Sequence, residues 1–417
     1  MKQDYVGVLD CNNFFVSCER LFRPDLWKRP VIVLSSNDGC VVARSKEVKD
    51  LGIPMGVPHF QVKDLIKNEN ITVFSSNFPL YRNISRRIFS LLEKEVDQLR
   101  IYSIDEAFFA LNNVTEAEAE IFINSLKEKL EKAVGIPLAI GLAQNKTLAK
   151  YANSLAKKQN GVKILSLEEW TELSTTVSLN QIWGVGGRLA VRYREAGLST
   201  VSQLVKADKN FIQARFGVVG LRLQAELKGE LVNKIDTKSE EQKSLTHSRS
   251  TKTALFKKPD VISALAHHVE KAAATLRRHK LLAGNIQVFA YPSRYRGGQY
   301  INLSVPVTIP TNDDKVLLKI MAAVVEKQYL PENGYKKIGI TCTELLPESY
   351  LPRSLFSDPK EVVENTNLLK TIDLLNQRFG ENTIHRAITL NQSWRPNSSW
   401  RSPSYVSSWR DLPKATT

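Results

Sequence analysis

The chain of 417 residues, 42% of them apolar, is long enough for several hydrophobic cores, roughly three or four domains on length alone. Its formal net charge of +15 favours polyanionic partners through counterion release, and its basic residues recur in clusters rather than as an even solvated surface. No run of about 18 or more apolar residues occurs, and the N-terminal MKQDYVGVLD reads as a strand rather than a charged leader, so a soluble cytoplasmic protein with no membrane contact is expected. Cys11, Cys18, Cys40 and Cys342 lack CxxC spacing and the histidines are scattered, which points to reduced thiols and to neither a disulfide framework nor a zinc site.

In chain order, 5–10, 30–35, 71–76, 99–111 and 136–143 are strand-like. Between them, Ile84, Ile88, Leu91 and Leu92 mark one helical face, and Ile121, Leu126 and Leu130 are expected to mark another over 115–133. Together these make an α/β domain with a central sheet. From about 168 to 235 strand signals give way to short helical patterns separated by Gly, and 236–243 is a polar linker with no core residues. Beyond it the order is strand 244–252, helix 260–280, strands 284–291 and 299–308, helix 312–329 and strand 336–345, a βαββαβ module. One further helix is predicted over 361–378, followed by a Ser-, Pro-, Arg- and Trp-containing tail expected to be disordered by itself.

Three carboxylates stand out. Asp10 ends an otherwise apolar strand, where α/β sheets open their sites. Asp105 and Glu106 are adjacent, repel each other unless a cation neutralises them, and in a regular strand would face opposite ways, so a common site requires a bend between them. Three carboxylates suit hard, oxygen-liganded Mg²⁺, and a pair of such ions can hold the attacking and leaving oxygens of a phosphoryl transfer.

The segments LDCNNFFVSCE (9–19), SSNDGCVVARSKEVKDLGIPMGVP (35–58), YSIDEAF (102–108), GLAQNKTLAKYANSLAKKQNG (141–161) and WGVGGRLA (183–190) together resemble those of Y-family translesion DNA polymerases, nearest to the UmuC branch, in the same order over about residues 1–345. The resemblance implies a multidomain α/β and α+β fold shaped like a right hand. Its expected parts are a palm (1–17 and 78–167), fingers (18–77), a helical thumb with a helix-hairpin-helix (168–235), the linker 236–243, a βαββαβ little finger (244–346) and a C-terminal tail (347–417).

The same resemblance assigns roles. Asp10, Asp105 and Glu106, with the backbone carbonyl of Cys11, would hold two Mg²⁺ ions. Phe14 and Phe15 would lie at the nucleotide, with the Phe15 ring excluding a ribose 2′-hydroxyl by size; the plain alternative is a core aromatic pair. Arg44, Lys49 and Lys157 would meet the triphosphate. Arg44, Lys46 and Lys49 are predicted on one helix, and Lys146, Lys150, Asn153 and Lys157 share the face of another. Cys40 and Val42 would roof the new base pair, with slack for a damaged template. Gly184, Gly186 and Arg188, and Arg294 and Arg296 in the little finger, would track the DNA backbone. Leu355 and Phe356 match the aliphatic-Phe end of a sliding-clamp peptide, although the usual leading Gln is absent.

The function expected is error-prone, template-directed DNA synthesis in damage tolerance of the SOS type. The expected partners are primer-template DNA, dNTPs, a sliding clamp and recombinase or accessory SOS factors at the nucleoid. A nucleotidyl cyclase would share such a palm but has no use for a helix-hairpin-helix or a basic βαββαβ module. A non-catalytic scaffold at damaged DNA would have no need of all three carboxylates.

Overall fold

The structure is a computed structural model, and it describes all residues except 1, 237–240, 294–296, 351–358, 381–382, 391–393, 395–397, 407–410 and 412–417. The chain divides into two units, 1–35 with 39–239 and 399–417, and 36–38 with 240–398.

The first unit contains β1 (Gln3–Cys11), α1 (Phe14–Leu21), β2 (Val31–Leu34), β3 (Val41–Arg44), α2 (Lys46–Asp50), α3 (Lys63–Asn68), β4 (Thr72–Ser75) and α4 (Phe78–Leu92). It continues with β5 (Leu99–Ile101), β6 (Glu106–Val114), α5 (Glu116–Val134), β7 (Leu138–Ala143), α6 (Lys146–Ala156) and β8 (Val162–Ile164). Four helices follow: α7 (Leu167–Leu173), α8 (Gly187–Glu195), α9 (Val201–Lys206) and α10 (Lys209–Leu227).

One sheet runs β5-β6-β1-β7-β8. Strand β1 lies at its centre, antiparallel to both β6 and β7. Because both faces of that sheet are covered, β1 is buried almost continuously instead of alternating. Tyr5, Leu9, Ala107 and Phe109 face a core shared with α4 and α5, while Val6, Val8 and Phe108 face α6 and the helical module. A second, three-stranded sheet runs β3-β2-β4, with β2 antiparallel to β3 and parallel to β4.

Helix α5 shows how local sequence sets an element. Thr115 and Glu118 form a reciprocal capping box at its start, and Gly135, at φ 74°, ends it in the left-handed conformation. Its buried stripe is Ala119, Ile123, Leu126 and Leu130, so the expectation for Ile121 fails: that side chain is 72% exposed, because it sits about half a turn from Ile123.

The second unit contains β9 (Ser244–Leu255), α11 (Lys258–Arg278), β10 (Leu281–Pro292), β11 (Ile301–Thr311), α12 (Asp314–Gln328), β12 (Tyr335–Pro347) and α13 (Pro359–Phe379). Its antiparallel sheet runs β11-β10-β12-β9, with α11 and α12 packed on it, which is the βαββαβ order. The expected α11 stripe, Val261, Leu265, Val269, Ala272, Ala273 and Leu276, is buried without remainder.

The tail differs from the disordered end expected of its composition. Trp394 is buried in the core of the second unit against His267 and His268, and Tyr405 is buried in the main core of the first. Large aromatic side chains anchor it where periodicity is lacking. No helix among the described residues is long and apolar enough to cross a membrane.

Candidate active site

The antiparallel register of β1 and β6 sets Asp10 directly opposite Glu106. Opposed residues in such a pair project to the same face, here the face that continues from Val6, Val8 and Phe108 toward α6. Ahead of β6 the chain bends over residues 103–105, and Ser103 Oγ donates to Asp105 Oδ1 at 2.5 Å and accepts from the Asp105 N–H at 3.2 Å. The Cys11 N–H donates to the Asp105 carbonyl at 2.9 Å, which fastens the bend to the end of β1. The Asp105 carboxylate lies near enough to Asp10 to raise its proton affinity.

Helix α6 brings cations to these acids. Lys157, at its C-cap, pairs with Asp10 at 2.7 Å, and Lys150, two turns earlier, pairs with Glu106. The Lys150 ammonium also lies 4.6 Å from the Tyr102 ring centre and 5.2 Å from that of Trp183. Burial pushes the Asp10 carboxyl above its ordinary pKa, with Asp105 adding to the rise and Lys157 opposing it. Glu106 is raised in the same way, against the pull of Lys150. Each acid therefore gains from any nearby positive charge. Among the described residues no three Asp, Glu, His or Cys side chains converge closely enough to enclose an ion, and the cations present at Asp10 and Glu106 are the two ammonium groups.

The position of α6 depends on two residues. Asn153 is buried and donates to the Ala139 carbonyl at 2.8 Å and to the Val8 carbonyl at 3.3 Å, spanning β7 and β1. Gly141 permits the approach, since a Cβ there would stand 2.2 Å from the backbone nitrogen of Asn153.

A second basic group faces the acids from the smaller sheet. Lys49 on α2 donates to Asn13 Oδ1 at 2.5 Å, and burial followed by repulsion from Arg44 and Lys157 holds its ammonium below the ordinary pKa, while Asp10 opposes that shift. Lys49, Arg44 and Lys157 thus gather positive charge beside the Asp10 carboxylate. Arg44 departs from its expected helix: it ends β3, and Ser45 caps α2 by accepting from the Val48 N–H. Cys40, Val42 and Arg44 are half-buried and alternate with buried Val41 and Ala43.

Asn13 enters the left-handed region, at φ 48°, and turns the chain from β1 into α1. Phe14 then lies in the core, 3% exposed, which leaves its backbone rather than its ring for a ligand. Phe15 is half-buried; its ring stacks on Tyr81 at 4.4 Å and 12° and meets Phe78 edge-on at 5.7 Å. The ring is thus packed among aromatic side chains, Phe14 included, next to the turn that follows β1. Sequence reasoning left Lys150 without a role and missed Asn13 and Tyr81. For Lys150 the signal was its seven-residue spacing to Lys157.

Behind Phe15 lies Glu19, fully buried, which accepts from the Tyr81 hydroxyl at 2.6 Å. Burial pushes its carboxyl up to about 7, with Tyr81 and then Ser402 pulling it back. Ser402 does so without the geometry of a full hydrogen bond, since Glu19 Oε2 has no hydrogen-bond partner among the described residues. A carboxyl raised above its unfolded value binds its proton more tightly in the folded state, so its contribution to stability is fully present below about pH 4.5 and is lost as pH rises through about 7. Glu19→Gln keeps an acceptor for Tyr81 without the charge. Its melting temperature relative to wild type is expected to climb between pH 5 and pH 8, by the equivalent of about 2–4 kcal/mol. A difference that stays level across that range would refute the titration of Glu19.

Farther along, Gly184 turns the chain at φ 89°, and Gly186 caps α8. A Cβ at Gly184, Gly186 or Gly187 would meet nothing within 4 Å, so internal packing does not demand glycine at the last two. Arg188 is exposed beside them. Arg294, Arg296, Leu355 and Phe356 lie outside the described residues.

Comparison with known proteins places this geometry. Residues 9–154 match the impB/mucB/samB family, 242–355 its C-terminal domain, and 366–415 a domain of unknown function (DUF4113). The chain is 32% identical to Protein ImpB of Salmonella typhimurium, over 98% of this chain and 99% of the relative. It is 32% identical to Protein UmuC of Salmonella typhimurium strain LT2, over 97% and 99%. DNA polymerase IV 1 of Bacillus subtilis strain 168 is 25% identical, over 93% and 94%. Among solved structures, a Y-family DNA polymerase chimera built from Dbh and Dpo4 shares the fold at a TM-score of 0.67 and 20% identity, covering 82% of this chain and 99% of that one. With nearly its full length aligned at this identity, the chain belongs to the impB/mucB/samB family, the UmuC-like members of the Y-family DNA polymerases.

Proposed function

We propose that the chain is a DNA-directed DNA polymerase of the translesion type, adding deoxynucleotides to a primer 3′-hydroxyl during damage tolerance in the cytoplasm. The observation that supports this most is Asp10 set opposite Glu106, with Asp105 at the adjoining bend and Lys157, Lys49 and Arg44 beside them. The donor set fits a hard divalent cation in its chemistry, because it consists of oxygen ligands, and burial has raised the proton affinity of Asp10 and Glu106 among them. Two Mg²⁺ held by Asp10, Asp105, Glu106 and the Cys11 carbonyl would supply charge stabilisation to the attacking and leaving oxygens. Lys157 would exchange Asp10 for a phosphate oxygen, joining Lys49 and Arg44 on the triphosphate.

The same reading divides the chain into palm, fingers, thumb, linker, little finger and tail at the limits given above. Gly184, Gly186 and Arg188 offer an open, basic turn for a DNA phosphate, and the small side chains of Cys40 and Val42 leave slack over a templating base. A sliding clamp and SOS factors remain the partners expected for Leu355, Phe356 and the tail.

Primer extension with Mg²⁺ on intact and damaged templates tests the activity. Extension by the full chain is expected, and binding of primer-template without extension would leave a DNA-binding scaffold instead. Phe15→Ala removes the ring under the sugar and is expected to raise the use of ribonucleotides relative to deoxynucleotides about a hundredfold. An unchanged ratio would take Phe15 out of the nucleotide site.

A further inference from the structure

The segment from Ser399 to Val406 lies on the first unit and is held there at three places. It adds to the edge strand of the three-stranded sheet: the Ser75 N–H donates to the Trp400 carbonyl at 3.0 Å, the Trp400 N–H donates to Ser75 Oγ at 3.0 Å, and Arg401 bridges Ser75 in parallel. The Asn77 amide donates to Ser402 Oγ at 2.9 Å and to the Ser402 and Pro403 carbonyls at 3.3 Å. Tyr405, 8% exposed, stacks on Phe22 at 4.5 Å and 7°, in the core that also holds Phe14.

These anchors surround one group. Asn77 immediately precedes α4 and its carbonyl accepts from the Tyr81 N–H at 3.1 Å. The Tyr81 hydroxyl is held by Glu19, and Ser402 lies close enough to Glu19 to alter its proton affinity. The ring of Tyr81 is the surface on which Phe15 stacks. A buried carboxyl is costly to keep, and strand pairing, amide and ring stacking together exclude water from it.

We propose that residues 399–406 are a cis strap that fixes the positioning residues Glu19 and Tyr81 behind Phe15, so that the C-terminal segment sets how strictly the nucleotide's sugar is discriminated. The proposal rests on the reading of Phe15 as the sugar-excluding ring. Without the strap, Tyr81 can tilt and Phe15 can withdraw, opening room for a 2′-hydroxyl while the carboxylates of β1 and β6 stay in place.

The experiment measures kcat/KM for a ribonucleotide and the matching deoxynucleotide, with melting temperature, in the full chain and in Phe15→Ala, Tyr81→Phe, Ser402→Ala, Tyr405→Ala and Tyr405→Phe. The ribo-to-deoxy ratio is expected to rise about tenfold in Tyr405→Ala and Tyr81→Phe, less in Ser402→Ala, and not in Tyr405→Phe, which keeps the stack. If Phe15→Ala shifts the ratio and the strap and Tyr81 variants do not, the strap proposal is overturned while the reading of Phe15 stands. If Phe15→Ala leaves the ratio unchanged, both fall. A lower melting temperature in Tyr405→Ala with an unchanged ratio assigns the strap to stability alone and also overturns it. Should Tyr405→Ala not fold, Ser402→Ala and Tyr81→Phe decide. Amide exchange supplies a readout apart from synthesis: in Ser402→Ala the N–H groups of Ser75 and of α1 should exchange faster, and wild-type rates there would remove the strap.

Discussion

Asp10→Asn, Asp105→Asn and Glu106→Gln are each expected to lower primer extension by about 10³-fold or more while primer-template binding survives. The substitutions keep the size of the side chain and remove its charge, so packing around β1 and β6 is preserved and the loss falls on cation binding. Stability should move the other way for Asp10. Its carboxyl is raised by burial and by the neighbouring Asp105, so the folded state gains little from the charge even with Lys157 at 2.7 Å. A neutral Asn is expected to leave the melting temperature equal or higher. Lost extension with an unchanged or raised melting temperature marks a group retained for chemistry, whereas lost extension with a collapsed fold would mark a structural ion pair. Retention of more than about a tenth of the wild-type rate in Asp105→Asn would refute the carboxylate reading.

How much of this site could be read beforehand depends on the range of the interaction. Asp10, Asp105 and Glu106 stood out as acids beside apolar stretches, and the resemblance of the surrounding segments joined them into one expected site. Their opposition across β1 and β6 is a matter of register, fixed by strands about a hundred residues apart, and a one-residue slip would have turned Glu106 away. Lys150 and Lys157 were visible as one helical face, but which acid each meets depends on how α6 lies on the sheet. Arg44 was placed on a helix because the basic run continues into α2; Ser45, a cap residue one position later, was the sign of the boundary. Strands β3 and β8, four and three residues long, are too short to show a period. The tail has no periodicity at all, and its order resides in single aromatic residues such as Trp394 and Tyr405, whose partners lie far away in the chain.

The same dependence on close packing yields the second large effect. Gly141→Ala is expected to destabilise the first unit by about 3 kcal/mol and to depress extension beyond what that loss of folded protein explains. The added Cβ would stand 2.2 Å from the Asn153 nitrogen, 2.6 Å from the Ala149 carbonyl oxygen and 2.7 Å from the Asn153 Cα, all of them backbone atoms of α6. No side-chain rotation relieves such contacts, so helix and strand must separate. Separation lengthens the Asn153 hydrogen bonds to Val8 and Ala139 and carries Lys157 and Lys150 away from Asp10 and Glu106. Gly186→Ala is the comparison for stability. At φ −75°, with nothing within 4 Å of its added Cβ, it should change the folding free energy by less than about 1 kcal/mol. Urea unfolding of the two variants separates the cases: a midpoint well below wild type for Gly141→Ala and near it for Gly186→Ala is expected, and equal midpoints would mean that α6 does not lie against β7 as closely as the site requires.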